Sequence, residues 1–159
     1  MKKIIFFVIA ISLMASCNQS LNEPAETNPE PEKTVVEDTA VVSDGVFIHI
    51  SSGPEDPQRV LMGLMMADKM SDDKDVIVYL DIKGVYVVLT DAPDIQFKEF
   101  PSSKTILQKL FEKGVVVQVC PGCLKAADKN EEDVMEGVVI ADKNLFFNFT
   151  EGRILTLDY

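Results

Sequence analysis

A chain of 159 residues, 47% hydrophobic and 26% charged, is large enough for one ordinary domain and too small for two. Its apolar content argues against wholesale disorder. Twenty-six acidic against 15 basic side chains give a net charge of −11, which repels phosphate backbones and anionic surfaces and argues against nucleic acid as a partner.

The chain opens with "MKKIIFFVIAISLMASC": two lysines, an apolar stretch from Ile4 to Met14, then Ala15, Ser16 and Cys17. The apolar stretch is shorter than the roughly 20 residues of a membrane-spanning helix, so residues 1–16 are expected to be a signal peptide. The cysteine after Ala15-Ser16 resembles the lipobox of bacterial lipoproteins, with Met14 where leucine is usual. That resemblance implies a lipid on Cys17, a membrane anchor and a place in the cell envelope, periplasmic or at the outer membrane. Residues 17–43 follow, rich in Glu, Pro, Asn and Thr and without helical periodicity. They read as an acidic, self-repelling tether.

From residue 44 to 159 the pattern is that of a folded domain. "VFIHI" (46–50) predicts a buried strand, and Asp56-Pro57 predicts a capped helix over 57–71, with Val60, Leu61, Leu64, Met65 and Met70 at helical spacing. The methionines are assigned to the core rather than to a binding groove. "DVIVYLD" (75–81) is a second buried strand. "KGVYVVLTD" (83–91) has strand composition, although tertiary context can make such a segment helical. Ser102 or Ser103 caps a helix carrying Ile106, Leu107, Leu110 and Phe111, and Gly114 ends it. "VVVQV" (115–119) is the third strand. A short helical piece to about Lys129, an acidic turn "NEEDVMEG", a helix-like "VVIADKNLFFNF" and a final strand over 153–158 complete the chain. Strands alternating with helices predict a parallel sheet in a three-layer α/β/α sandwich.

Chemistry concentrates in "VCPGC". Zinc needs four ligands, and beyond Cys120 and Cys123 the domain offers only His49 and carboxylates. Leu124 stands where c-type haem attachment needs histidine. A thioredoxin-like CxxC normally follows the first core strand, whereas this one follows the third. Cys120 at a strand-to-helix junction is instead placed for a lowered thiol pKa, with Pro121 fixing the turn and Gly122 leaving the backbone open. A buried, inert pair or a stabilising disulfide is the alternative. His49, the single histidine, is a candidate base if strands one and three are neighbours, although a histidine in a buried strand more often serves structure. No metal or other cofactor is expected.

Four stretches, "VFIHISSGPEDPQRVLMGLMMADKM", "DVIVYLDIKGVYVVL", "GVVVQVCPGCLKAADKNEEDVMEGVVIAD" and "RILTLDY", taken in order and spacing, resemble the DsrE/DsrF-like, or TusD-like, family of sulfur-relay proteins over nearly all of residues 45–159. The resemblance implies a mainly parallel sheet of about five strands, a helical "GVYVVL", assembly into trimers or hexamers, and a persulfide carried at Cys120. Cys123 matches a second cysteine found in some members. The expected function is therefore that of an extracytoplasmic, lipid-anchored carrier of sulfane sulfur working with a donor or acceptor protein. Whether it turns over as a sulfurtransferase-like enzyme is open. So are two alternatives: a non-catalytic binding or assembly module with a structural cysteine pair, and a thiol–disulfide oxidoreductase using CPGC in an oxidising compartment.

Overall fold

The structure, a computed structural model, describes residues 42–159. The expected leader over 1–16, Cys17 and the tether up to residue 41 lie outside the described residues. Five strands, β1 (Gly45–Ile50), β2 (Asp75–Leu80), β3 (Val116–Val119), β4 (Val138–Ile140) and β5 (Ile154–Asp158), form one sheet in the order β4-β3-β2-β1-β5. Every neighbouring pair is parallel. The α/β architecture expected from strand–helix alternation is present, with a sheet that is wholly rather than mainly parallel.

Three helices, α1 (Pro57–Met70), α2 (Ser103–Glu112) and α3 (Pro121–Ala126), join the strands. Asp56 caps α1 by accepting from the Arg59 N–H, and Pro57 occupies the first helical position, where no N–H partner is needed. Both longer helices turn an apolar stripe inward: Val60, Leu61, Leu64 and Ala67 from α1, and Ile106, Leu107 and Leu110 from α2. These join Val46, Ile48 and Ile50 of β1 and Val78 and Leu80 of β2 in the main core. Each fully buried Leu or Ile there contributes about 1.5–3 kcal/mol. Asp94, not Ser102, serves the start of α2, accepting from the Lys104 N–H at 3.0 Å, while Ser102 makes no capping bond.

The other face of the sheet carries Phe47, His49, Ile77, Tyr79 and Gln118, the residues alternating with the core set. Phe146 lies against it, 5.7 Å from the Phe47 ring and 5.0 Å from that of Tyr79. Residues 141–150 thus lie over this face without a regular helix. Here the expectation for "VVIADKNLFFNF" is corrected. Val138–Ile140 pair with Val117–Val119 as an edge strand, and the chain then turns, with Asp142 accepting from the Asn144 N–H. Gly137, at φ +91°, packs on Phe111 and turns the chain into β4.

The segment after β2 is a 3-10 helix over Gly84–Val87, against its strand-like composition and in line with the helical character that the family resemblance implies. Val85, Val87, Val88 and Leu89 are buried in the core rather than added to the sheet. Gly84 is what brings this helix so close. A Cβ there would run into the Ile50 carbonyl oxygen at the end of β1. Gly84→Ala is therefore expected to destabilise the domain by about 2 kcal/mol, read as a lower urea midpoint at unchanged slope.

Candidate active site

Each strand's hydrogen-bond ladder runs one residue beyond its carboxyl end. Asp81 N–H donates to the Ile50 carbonyl (3.2 Å), Cys120 N–H to Leu80 (2.9 Å), Ala141 N–H to Val119 (2.9 Å) and Tyr159 N–H to His49 (2.8 Å). The carboxyl ends are thereby held level. His49 pairs with Asp158 on one side and with Tyr79 on the other, and Tyr79 pairs with Gln118, two residues before Cys120. Residues Asp158, His49, Tyr79, Asp81 and Cys120 form a row across four strands. Carboxyl ends are where open α/β sheets build their sites.

β2 lies between β1 and β3, so the condition on which His49 was a candidate base for Cys120, that strands one and three are neighbours, is not met. His49 is turned to carboxylates instead. Its Nδ1 lies 2.8 Å from Asp158 Oδ1 and its Nε2 2.9 Å from Asp81 Oδ1. Two such contacts need two N–H donors, which is the imidazolium form. Partial burial opposes that charge, but the hydrogen bonds to Asp81 and Asp158 outweigh it and hold the pKa above the ordinary histidine value. With both nitrogens engaged, His49 acts as a cationic clamp between β1, β2 and β5.

Cys120 caps α3, and its Sγ accepts the Cys123 N–H at 3.2 Å. Both cysteines are free thiols of intermediate burial. Burial alone would push the Cys120 thiol up; the neighbouring Cys123 thiol, the Tyr79 hydroxyl and the backbone N–H groups of Cys123 and Gly122 outweigh it and bring the pKa below the ordinary thiol value, and of these the Cys123 N–H is the group hydrogen-bonded to Sγ. Cys123 shifts the opposite way, raised by burial first and then by Cys120. Six residues make α3 too short for a large macrodipole, so these individual donors carry the effect.

Tyr79 stacks on His49 with ring centroids 5.7 Å apart, and its hydroxyl holds its proton tightly, first through burial and then through Cys120. Gln118 beside it is fully buried, and neither of its amide atoms has a hydrogen-bond partner among the described groups. Ile82, directly after Asp81, has φ +46°, a strained conformation for a β-branched residue, and its side chain is 62% exposed.

Sequence reasoning found Cys120, Cys123 and His49 but missed Tyr79, Asp81 and Asp158. The available signal was the polar or aromatic residue at the end of each apolar run, in "VYLD" and "LTLDY". Met65, Met66 and Met70 pack partly buried against the core, as expected, while Met62, Met65 and Met66 also line a groove of about 320 Å³ with Pro101, Ile106 and Lys109. No residue of the row contributes to that groove, so its size does not make it the chemical site. Among the described residues no three or more His, Cys, Asp or Glu side chains are grouped to hold a metal ion.

No family model matches the chain. It is 31% identical to the uncharacterised protein MJ0989 of Methanocaldococcus jannaschii over 93 residues, which cover 58% of this chain and 79% of that one. It is 28% identical over 110 residues to the uncharacterised protein MK0008 of Methanopyrus kandleri, covering 68% of this chain and 88% of the relative. Its fold is similar to that of the ychN protein from E. coli, with a TM-score of 0.56 at 16% identity, covering 73% of this chain and 99% of that one. The same holds for MTH1491 of Methanobacterium thermoautotrophicum, a protein of unknown function, with a TM-score of 0.53 at 23% identity, covering 74% and 99%. At these identities the likeness is one of fold, and that fold is the DsrE-like one.

The His49 clamp has a sign in pH. A histidine whose folded pKa is raised stabilises the fold fully below its unfolded value, near 6.5, and the contribution is lost as pH rises through the folded value. The difference in melting temperature between the native chain and His49→Gln is expected to be largest near pH 6 and to shrink by pH 9, as read by circular dichroism melts.

Proposed function

We propose that this chain, which belongs to the same family as MJ0989 of Methanocaldococcus jannaschii, carries sulfane sulfur on Cys120. The observation that carries this reading is the place of Cys120 at the cap of α3, where its Sγ accepts the Cys123 N–H at 3.2 Å. Cys120 is of intermediate burial and its pKa is brought below the ordinary thiol value, while that of Cys123, three residues on, is pushed up by burial. The thiolate is the nucleophilic form, and attack is assigned to Cys120, whose sulfur receives the N–H at the start of α3.

The step balances without an outside oxidant or reductant. The Cys120 thiolate attacks the outer sulfur of a persulfide R–S–SH, forming a bond to that sulfur and breaking its bond to R–S. The electron pair leaves with R–S⁻, and Cys120 becomes a persulfide. An acceptor thiolate then attacks the outer sulfur and returns Cys120 as thiolate. The N–H of Cys123 faces the sulfur anion at both ends of this cycle.

The cellular setting belongs to the same proposal and rests on sequence. The leader and Cys17 support export, a lipid anchor and a place in the cell envelope; the family resemblance supports a trimer or hexamer and a dedicated sulfur donor or acceptor protein. A thiol–disulfide exchange role is the second reading, favoured by the contact between the two cysteines, with Cys123 as the resolving thiol.

Incubation with inorganic polysulfide followed by mass spectrometry separates the two. The native chain and Cys123→Ser are expected to gain one sulfur atom on the Cys120 peptide, and Cys120→Ser none. Uptake on Cys123 alone, or no uptake by the native chain, removes the carrier reading. Rapid closure to a Cys120–Cys123 disulfide that a protein dithiol reopens supports the second.

A further inference from the structure

Among the described residues the buried polar side chains are Ser103 and Gln118. Ser103 accepts the Ile95 N–H at 2.9 Å, which accounts for its hydroxyl. Gln118 has no such account, since its Oε1 and Nε2 both lack a hydrogen-bond partner among the described groups. A buried donor and acceptor left unpaired are costly, and an aliphatic side chain of similar shape would avoid the cost. Gln118 stands in β3 between Tyr79 on β2 and Val139 on β4, and faces away from the core to which Val117 and Val119 belong. Cys120 follows by two in extended backbone and so faces the same way, about 6.6 Å further along the chain.

The segment after β4 governs how this face is reached. It is tied down near its two ends, where the Ala141 N–H donates to the Val119 carbonyl (2.9 Å) and the Thr150 hydroxyl to the Ser43 carbonyl (2.7 Å). Between Asp142 and Asn148 every hydrogen bond among the described residues is internal: the Asn144 and Leu145 N–H groups donate to Asp142, and those of Phe147 and Asn148 to the Asn144 carbonyl. The Phe146 ring rests this strap on Phe47 and on Tyr79, the register partner of Gln118. The strap can therefore lift by giving up ring contacts, with no hydrogen bond to the sheet broken between its ends.

Resting on the carrier reading's assignment of Cys120, we propose that the sulfur donor is a peptidic persulfide, a cysteine persulfide within a peptide or protein, and that Gln118 selects it by pairing with its amide once the strap over residues 142–148 lifts. A carboxamide has an oxygen that accepts and a nitrogen that donates. A peptide group answers both at once, whereas an inorganic anion answers only the N–H groups and leaves Oε1 unpaired. In a cysteine persulfide the outer sulfur is joined to its own Cα through Sγ and Cβ alone, so a sulfur delivered to Cys120 brings its peptide groups to the neighbourhood of Gln118. The transfer is unchanged: the Cys120 thiolate bonds to the outer sulfur, the donor's sulfur–sulfur bond breaks, and the donor cysteine leaves with the electron pair as thiolate.

Gln118→Met keeps the length of the side chain and removes the amide, and Gln118→Leu serves as a second variant, both in the full-length chain. Each is given inorganic polysulfide or the persulfide of N-acetylcysteine N-methylamide, and sulfur gained on the Cys120 peptide is followed in time by mass spectrometry. The ratio of the initial rate with the capped persulfide to that with polysulfide is expected to fall about tenfold in both variants, because hydrogen bonds are lost only with the donor that has an amide. Their urea midpoints are expected to rise, since the unpaired amide is gone. The unreactive N-acetyl-S-methylcysteine N-methylamide, titrated by NMR, is expected to bind the native chain and to bind the variants about tenfold more weakly. An unchanged rate ratio, unchanged binding of the S-methyl peptide, or midpoints lowered in both variants overturns the assignment, the last by showing that the amide serves the fold. The two readings fail separately. If Cys120 takes sulfur from neither donor while the S-methyl peptide still distinguishes the native chain from the variants, the carrier reading falls and Gln118 keeps its peptide; sulfur uptake with an unchanged ratio does the reverse.

Discussion

The backbone bond from the Cys120 N–H to the Leu80 carbonyl carries the β2–β3 ladder one residue past the end of β3, and the arrangement of the site depends on it. Without it Cys120 would belong to a loop. With it the sulfur's backbone is part of the sheet while its side chain stands at the sheet's edge, at the start of α3. The equivalent bonds at Asp81 and Tyr159 do the same for their neighbours. A wholly parallel sheet makes this possible, because every carboxyl end points the same way and a row of side chains forms wherever the ends are level.

Electrostatics within the row must solve a difficulty set by composition. A chain with 26 acidic side chains is a poor host for a thiolate. The site answers locally rather than by changing the overall charge. Asp81, at the carboxyl end of the strand beside Cys120, is occupied with His49, and the sulfur is given a backbone N–H as an uncharged donor. The scaffold gives up something for this row. Gln118, buried with its amide unpartnered among the described groups, sits where an aliphatic residue would pack without polar cost. The polar residue is on the face of the row, and the aliphatic residues of β3 on the opposite face belong to the core.

Much of the fold was legible in the sequence because its signals are local. Asp56-Pro57 and the spacing of Val60, Leu61 and Leu64 specify α1 within about a turn, and the apolar runs before Asp81 and Cys120 mark β2 and β3. Val138–Ile140 were not legible as a strand, since three residues become β4 only where the edge of β3 is free to receive them. Val85–Val88 misled for the opposite reason: β-branched residues suit a strand, but Gly84 lets the chain pack under Ile50 instead of beside it. The cysteines announced themselves by spacing. Their partners did not, because Tyr79 and Asp158 join Cys120 and His49 only through strand order, a property of the whole sheet.

Ile82 shows what the turn after β2 requires of its sequence. An exposed β-branched residue held at φ +46° gains little from packing and is strained by about 1–3 kcal/mol. Glycine or asparagine would sit there more comfortably. The conformation is imposed by its neighbours, Asp81 tied to His49 on one side and Gly84 lodged against β1 on the other. The turn is held between two fixed points, so the backbone strain at Ile82 is tied to the position of Asp81, the carboxylate directly before it, and hence to the imidazole that Asp81 meets.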